Sequence, residues 1–285
     1  HGGDAVGVRN RGKTLLCKSV YAAGMKTSAI ITAEDKLNHL KTLFYRLRMR
    51  AAYERLTSIL SDPDECGMSA LDCIYEIMEN EVQRRDSNAL ARRLKEAKIC
   101  LPNARPDTID FSIERGLDKN KIDALLTMRW MEEHQNIIIT GAAGCGKTFL
   151  ACALVNQACI KGRTARVVRV PLLLNQMAAS HQIVETYFKK LKEMKTIDLL
   201  VLDDWGIGQL DARSRQDLLE IINERYMYAS TIVTSVLPVN KWSEYINDTT
   251  YSDAILDRLV SVSHRVELNG ASVRQMKEYG AVLKE

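Results

Sequence analysis

Apolar residues recur along this chain in two different rhythms, and the change from one to the other divides it. The positions Leu37, Leu40, Phe44, Leu47 and Ala51 follow one another at intervals of three and four. That spacing predicts one stripe of an amphipathic helix, with Arg46 and Arg50 on its other side. Ser69, with Asp72 three places on, has the form of a capping box, and Leu71, Ile74 and Met78 continue a second helix from it. A third helical stretch carries Arg84, Arg85, Arg92, Arg93, Lys95 and Lys98 and stops before Pro102. Together these segments predict a small all-helical domain over residues 25–105, with the apolar stripes as its core.

Beyond Pro102 and Pro106, residues 106–135 read as a linker followed by a helix over 118–133. Then the rhythm shortens. Residues 136–140, 163–170, 197–202 and 231–234 are short apolar runs separated by helical sequence. Strands of this kind are buried on both faces, and their alternation with helices predicts an α/β domain over 136–285, a parallel sheet with helices on both sides. Residues 1–24 begin with His1, show no sustained period and precede the first methionine, Met25. They are expected to be a disordered leader with no part in the fold.

Composition narrows the class. The 285 residues are 46% hydrophobic and 27% charged, ordinary values for a globular protein. No apolar run approaches the roughly 18 residues of a membrane span, and Arg9, Arg11, Lys13 and Lys18 interrupt anything resembling a signal peptide. A cytoplasmic protein is expected. The net charge of +4 is unevenly spread: the first fifty residues carry +7 and the rest −3. A basic end on a near-neutral body suits a polyanionic partner or a solvated face equally well. The seven cysteines (17, 66, 73, 100, 145, 152 and 159) include no C-x-x-C pair, which fits reduced thiols better than a disulfide framework or a zinc site.

The chemistry concentrates just after the first apolar strand. Gly141, Ala142, Ala143, Gly144, Cys145, Gly146, Lys147 and Thr148 match G-x-x-x-x-G-K-[ST] at every fixed position, with Phe149 opening a helical segment behind them. Glycines let backbone N–H groups curl around an anion, and the helix adds the positive end of its dipole. Lys147 is expected to reach the outer phosphates of ATP, and the Thr148 hydroxyl to bind Mg2+. Cys145 is most simply a small residue inside the loop. Fifty-five residues beyond Thr148, an apolar strand runs into Asp203 and Asp204, the Walker B arrangement. Asp203 is placed to hold the metal through water, and Asp204 to polarise a water for attack. Many related ATPases carry glutamate at the second position, so this acid is one methylene short.

On these residues the chain resembles the IstB/DnaC-like group of AAA+ ATPases, and within it the IstB helpers of insertion-sequence transposition. The resemblance rests on the phosphate loop, the Leu-Asp-Asp-Trp-Gly segment at 202–206, and residues 231–238, 253–259 and 268–274, and it spans roughly 37–274. It implies an AAA+ core, ATP and Mg2+ as cofactors, and hydrolysis to ADP and phosphate. Thr234 and Ser235 fall where such ATPases place a polar sensor, and Ser235 is taken for that role, although Val236 stands where a polar residue is common. Arg258 matches the arginine finger that one subunit inserts into its neighbour's site, which implies a homo-oligomer through the ATP sites. Arg274 matches a second sensor arginine, and the eleven residues after it are too few for the helical lid that usually carries one. The implied partners are duplex DNA and the transposase of the same element. Arg46, Arg50, Arg92, Arg93, Lys189 and Lys190 are the candidate DNA contacts, on charge alone. Two other functions share this core: a replicative helicase loader, and a nucleotide-dependent adaptor with weak hydrolysis.

Overall fold

The computed structural model describes residues 32–62, 65–270 and 272–273. The chain divides into two compact units, with the boundary after Glu81. Among the described residues no helix is long and apolar enough to cross a membrane.

The first unit is helical. Its helices are α1 (Ala33–Arg46), α2 (Arg50–Ser61) and the beginning of α3 (Ala70–Glu96). Thr32 and Asp35 form a capping box on α1. The apolar stripe expected to run unbroken from Leu37 to Ala51 is split, because Arg48 takes a left-handed backbone (φ 55°) between α1 and α2. The expected second and third helices are in turn a single 27-residue helix. Ser69 and Asp72 do cap it: the Asp72 backbone N–H donates to Ser69 Oγ at 3.2 Å. No Gly or Pro stands between there and Glu96, so nothing ends it sooner. The core of the unit is Ala52, Ile59 and Ile77, with Phe44, Met49, Leu56 and Cys73 against it. The stripe of Leu71, Ile74 and Met78 is exposed rather than core. α3 turns Ile77 and Glu81 inward instead, and the Glu81 carboxylate accepts the Ala52 backbone N–H at 3.1 Å. That N–H lies in the first turn of α2, where it has no partner within the helix.

The second unit begins inside α3. Residues 82–105, grouped by pattern with the helical domain, contribute Leu90, Leu94, Ala97, Ile99 and Ala104 to its core. The helix expected over 118–133 is two: α4 (Lys119–Leu126), capped by Asp118, and α5 (Arg129–Glu132), parted by Met128 at φ 66°. There follow β1 (Asn136–Gly141), α6 (Lys147–Ile160), β2 (Ala165–Arg169), α7 (Val170–Ser180), α8 (Val184–Thr196), β3 (Leu199–Trp205), α9 (Ala212–Arg225), β4 (Ser230–Ser235), α10 (Trp242–Ile246), α11 (Thr249–Val260) and β5 (Ser263–Leu268). The sheet is parallel throughout, in the order β2-β3-β4-β1-β5.

Both faces of the sheet are covered. Ile137 and Ile139 belong to the core layer built with α6, and Ile138 between them to the layer built with α7, α9 and α11. Side chains alternate across a strand, so a stretch covered on both faces is apolar at successive positions, which is why residues 137–139 of β1 and 199–202 of β3 read as unbroken runs. β5 escaped that reading. It is an edge strand in which only Val266 and Leu268 are buried, among Ser263, His264, Arg265 and Glu267. The order of strands inserts β4 between β1 and β3, so the phosphate loop after β1 and the acid pair at the end of β3 flank the end of β4.

Candidate nucleotide site

The loop between β1 and α6 is shaped by what cannot fit there. A Cβ at Gly141 would stand 2.2 Å from the Leu268 carbonyl oxygen, and one at Gly146 (φ 99°) 2.4 Å from Arg115 Nη1. Neither position can carry a larger residue without displacing its neighbour. Cys145 is fully buried within the loop, as a small filler. The Lys147 ammonium donates to the Gly141 and Ala142 carbonyls at 2.9 and 2.8 Å, curling back over the loop it follows. The loop tip is held from the C-terminal side too: the Val273 backbone N–H donates to the Gly144 carbonyl at 3.0 Å.

The end of β3 meets the loop from the other side. Thr148 Oγ1 donates to Asp203 Oδ1 at 3.0 Å, and Thr234 Oγ1, from the end of β4, donates to the same carboxylate oxygen. Asp203 is buried among them. The Asp204 backbone N–H donates to Thr234 Oγ1 at 3.3 Å. Asp204 has a left-handed backbone (φ 62°), and its carboxylate accepts a 2.6 Å hydrogen bond from Arg169 Nε at the end of β2. The carboxylate in turn raises the affinity of Arg169 for its proton. Ser235 differs from Thr234: its hydroxyl donates to the Trp205 carbonyl at 2.8 Å and accepts the Leu237 backbone N–H at 3.0 Å. Thr234 rather than Ser235 therefore carries the hydroxyl that touches the acid pair.

One cavity of about 400 Å³ joins these groups. Ala143, Gly144, Gly146, Lys147, Thr148 and Phe149 border it on the loop side, and Asp204, Thr234, Ser235 and Val236 on the strand side. A further wall, Leu101, Thr108, Asp110, Ile113 and Arg115, comes from the segment ahead of α4; sequence reasoning put Leu101 in the helical domain and left the other four as linker. Sequence reasoning also missed Arg169, which carries no motif and reaches the acid pair only because β2 lies next to β3.

The other expected residues are elsewhere. Arg258, on α11, borders a second cavity with Glu133, Asn136 and Tyr226. Its guanidinium lies 5.7 Å from the centre of the Tyr226 ring, and its Nη1 donates to the Ala254 carbonyl at 2.8 Å. Asn136 Nδ2 donates to the Arg258 carbonyl at 3.1 Å, which puts that backbone at the start of β1, roughly 16 Å along the strand from the phosphate loop at about 3.3 Å per residue. Arg46 and Arg50 are exposed in the first unit, Arg50 paired with Glu54 at 3.1 Å. In α3, Arg92 is exposed, whereas Arg93 Nε donates to the Cys159 carbonyl at the end of α6 at 2.9 Å. Lys189 is exposed on α8 and Lys190 half-buried. Arg274 lies outside the described residues, as does the leader 1–24.

The metal question turns on the donor set. A threonine hydroxyl and a carboxylate joined by a 3.0 Å hydrogen bond are hard oxygen ligands suited to magnesium, which usually takes one or two protein ligands and completes its shell with substrate phosphates and water. Among the described residues there is no cluster of three His, Cys, Asp or Glu side chains that could hold a metal by itself. Cys73, Cys100, Cys145, Cys152 and Cys159 are free thiols.

A glycine-rich loop between strand and helix, with a lysine and an acid pair gathered about one cavity, has the form of a phosphate-binding site. The family described as IstB-like ATP binding protein matches residues 41–281. The chain belongs to that family. An insertion-sequence ATP-binding protein of Sinorhizobium fredii is 39% identical over 241 residues, 85% of this chain and 95% of that protein. A protein of the same description from insertion sequence IS1162 of Pseudomonas fluorescens is 34% identical over 70% of this chain and 86% of its own length. Among solved structures, DnaI shares the fold at a TM-score of 0.50 and 21% identity, over 64% of this chain and 98% of DnaI. The IstB-like family thus brings an ATP-binding AAA+ core to the second unit, the fold that its parallel sheet and phosphate loop describe.

Proposed function

We propose that this chain is a cytoplasmic ATP-hydrolysing helper of DNA transposition, which assembles on duplex DNA and stimulates the transposase of its own element. The observation that carries the reading is the convergence of Lys147, Thr148, Asp204 and Thr234 on one cavity behind a glycine-rich loop, with Asp203 bonded to both threonines. The family and the insertion-sequence names of its relatives support the transposition role.

In this reading the loop N–H groups hold the β-phosphate, and Lys147 exchanges its two carbonyl acceptors for phosphate oxygens. Thr148 and Asp203 hold magnesium, which when bound neutralises charge on the phosphates. Asp204 accepts the proton of the attacking water, once its carboxylate is free of Arg169, and the Thr234 hydroxyl keeps the acid pair in register. Arg258 stands at the opposite end of its own sheet, so it serves a neighbouring subunit's γ-phosphate, as a guanidinium matched to developing charge. Arg46, Arg50, Arg92, Lys189 and Lys190 contact DNA phosphates, with Arg93 giving part of its guanidinium to α6. Assembly multiplies the few contacts each subunit can make. The second reading, an adaptor with slow turnover, is favoured by one observation: Arg169 already occupies the carboxylate that has to act as base.

The test is ATPase turnover measured with and without duplex DNA, with and without transposase, and across protein concentration. The helper reading expects turnover to rise with concentration and with DNA, and mixtures of Arg258→Ala with Lys147→Ala protein to recover activity that neither has alone. Turnover flat in all of these, with ATP bound, would leave the adaptor.

A further inference from the structure

Arg115 belongs to no motif, and the reaction described above gives it nothing to do. It is nevertheless 5% exposed and borders the nucleotide cavity beside Gly144, Gly146 and Lys147. Its guanidinium is packed on the loop tip. Nη1 donates to the Cys145 carbonyl at 3.3 Å, Nη2 donates to the Asp110 carbonyl at 2.9 Å, and Nε is buried without a partner. Gly146 is what admits it, since a Cβ there would stand 2.4 Å from Nη1. The backbone is fixed as well: the Arg115 carbonyl accepts the Asn269 N–H at 2.8 Å, which ties this wall of the cavity to the end of β5.

A buried cation costs free energy unless an anion or a full set of acceptors offsets it. Both hydrogen bonds of this guanidinium go to uncharged carbonyls, and the buried Nε–H has none. Burial is the leading influence on its proton affinity, pulling it below that of an ordinary arginine, with the Asp110 charge acting the other way. What the cavity would bring is a polyphosphate, several negative charges in a partly desolvated space where Coulomb attraction is far stronger than in water.

We propose that Arg115 is a nucleotide-positioning residue, holding the phosphate loop by the Cys145 carbonyl and carrying a positive charge to which the phosphates of a nucleoside triphosphate add the anionic partner that its two carbonyl acceptors do not supply. Without nucleotide the charge is a liability, so the residue couples loop order to occupancy. The inference rests on the nucleotide reading of the cavity.

Its test uses four full-length proteins: wild type, Lys147→Ala, Arg115→Gln and Arg115→Lys. Each is titrated with magnesium and ATP against a fluorescent ATP analogue, and unfolded by heat without nucleotide. Glutamine keeps a donor for Cys145 but removes the charge. Arg115→Gln should bind ATP about tenfold more weakly, the scale of one charge-assisted contact, yet unfold within about 2 °C of wild type or above it. Arg115→Lys, which restores the charge, should recover most of the affinity. Unchanged affinity in Arg115→Gln beside a wild type that binds would overturn the inference and leave the nucleotide site standing. So would an unfolded or strongly destabilised Arg115→Gln, or an Arg115→Lys no better than Arg115→Gln, since each is the signature of a purely structural arginine. A wild type that binds no ATP would instead strike the nucleotide reading itself.

Discussion

Two buried arginines stand at opposite ends of one sheet and are treated in opposite ways. At the amino ends of β3 and β4, Arg225 is 2% exposed and donates from four of its five N–H groups: Nη1 to the Met194 and Ile197 carbonyls at 2.6 and 2.7 Å, Nη2 to the Ser230 carbonyl, and Nε to Thr231 Oγ1 at 3.1 Å. Asn136 is spent in the same way, its Nδ2 donating to the Arg258 carbonyl and its Oδ1 accepting the Thr231 N–H at 2.9 Å. At the carboxyl ends, Arg115 leaves an N–H unpartnered, Lys147 rests on its own loop's carbonyls, and glycines keep the space between them open. Polar groups spent mostly on protein partners hold a scaffold together. Polar groups left short of partners around an open cavity are what a ligand completes.

The comparison can be broken at either end. The largest effect is expected from Lys147→Ala: nucleotide affinity should fall on the order of 100-fold, the loss of charge-assisted contacts to phosphate, with the unfolding midpoint little changed. A fluorescent-nucleotide titration measures it, and affinity near wild type would remove the lysine from the site.

Asp204→Asn comes next. Asparagine adopts the left-handed backbone of this position as readily as aspartate does, so the fold should survive. Turnover should drop roughly 100-fold, the usual contribution of a general base, while ATP affinity holds. Single-turnover hydrolysis separates the two, and an undiminished rate would show that another group takes the proton.

Arg225→Met tests the scaffold end. It strands four acceptors in the core and should cost about 3 kcal/mol, lowering the unfolding midpoint by roughly 6–12 °C. Affinity for ATP in the folded fraction should not move. A variant as stable as wild type but poor in nucleotide binding would invert the comparison.

The smallest effect is expected from Arg169→Ala. The ion pair with Asp204 is exposed on the arginine side and worth at most about 1 kcal/mol. Its removal frees the carboxylate, so turnover should rise roughly two- to fivefold at unchanged affinity. A slower Arg169→Ala enzyme would mean that the arginine assists the reaction rather than restraining the base.

How much of this was legible follows the same division. That residues 141–148, Asp203 and Asp204 belong together could be read because their types and spacing follow a known pattern, and the fold does bring them to one place. Four strands could be read because each keeps an apolar stretch at its centre, residues 137–139 in β1, 167–168 in β2, 199–202 in β3 and 232–233 in β4. β5 could not, since an edge strand with Arg265 and Glu267 facing outward has no such run. Arg115 and Arg169 were invisible for a different reason. They reach the site across the sheet and from the segment before α4, and nothing local marks a residue whose partner is distant in sequence. In the first unit the stripe of Leu71, Ile74 and Met78 misled, because a helical period reports which residues share a face and not whether that face is covered.

The central claim, that the carboxyl ends of this sheet form an ATP site, is tested most directly by thermal unfolding of the wild-type chain with and without saturating ATP and magnesium. A ligand at about one hundred times its dissociation constant adds about 2.7 kcal/mol, so the midpoint should rise by roughly 5–10 °C, and the rise should vanish in Lys147→Ala protein. A midpoint that ATP leaves in place at millimolar concentration, or one that it raises equally in both proteins, would contradict the account.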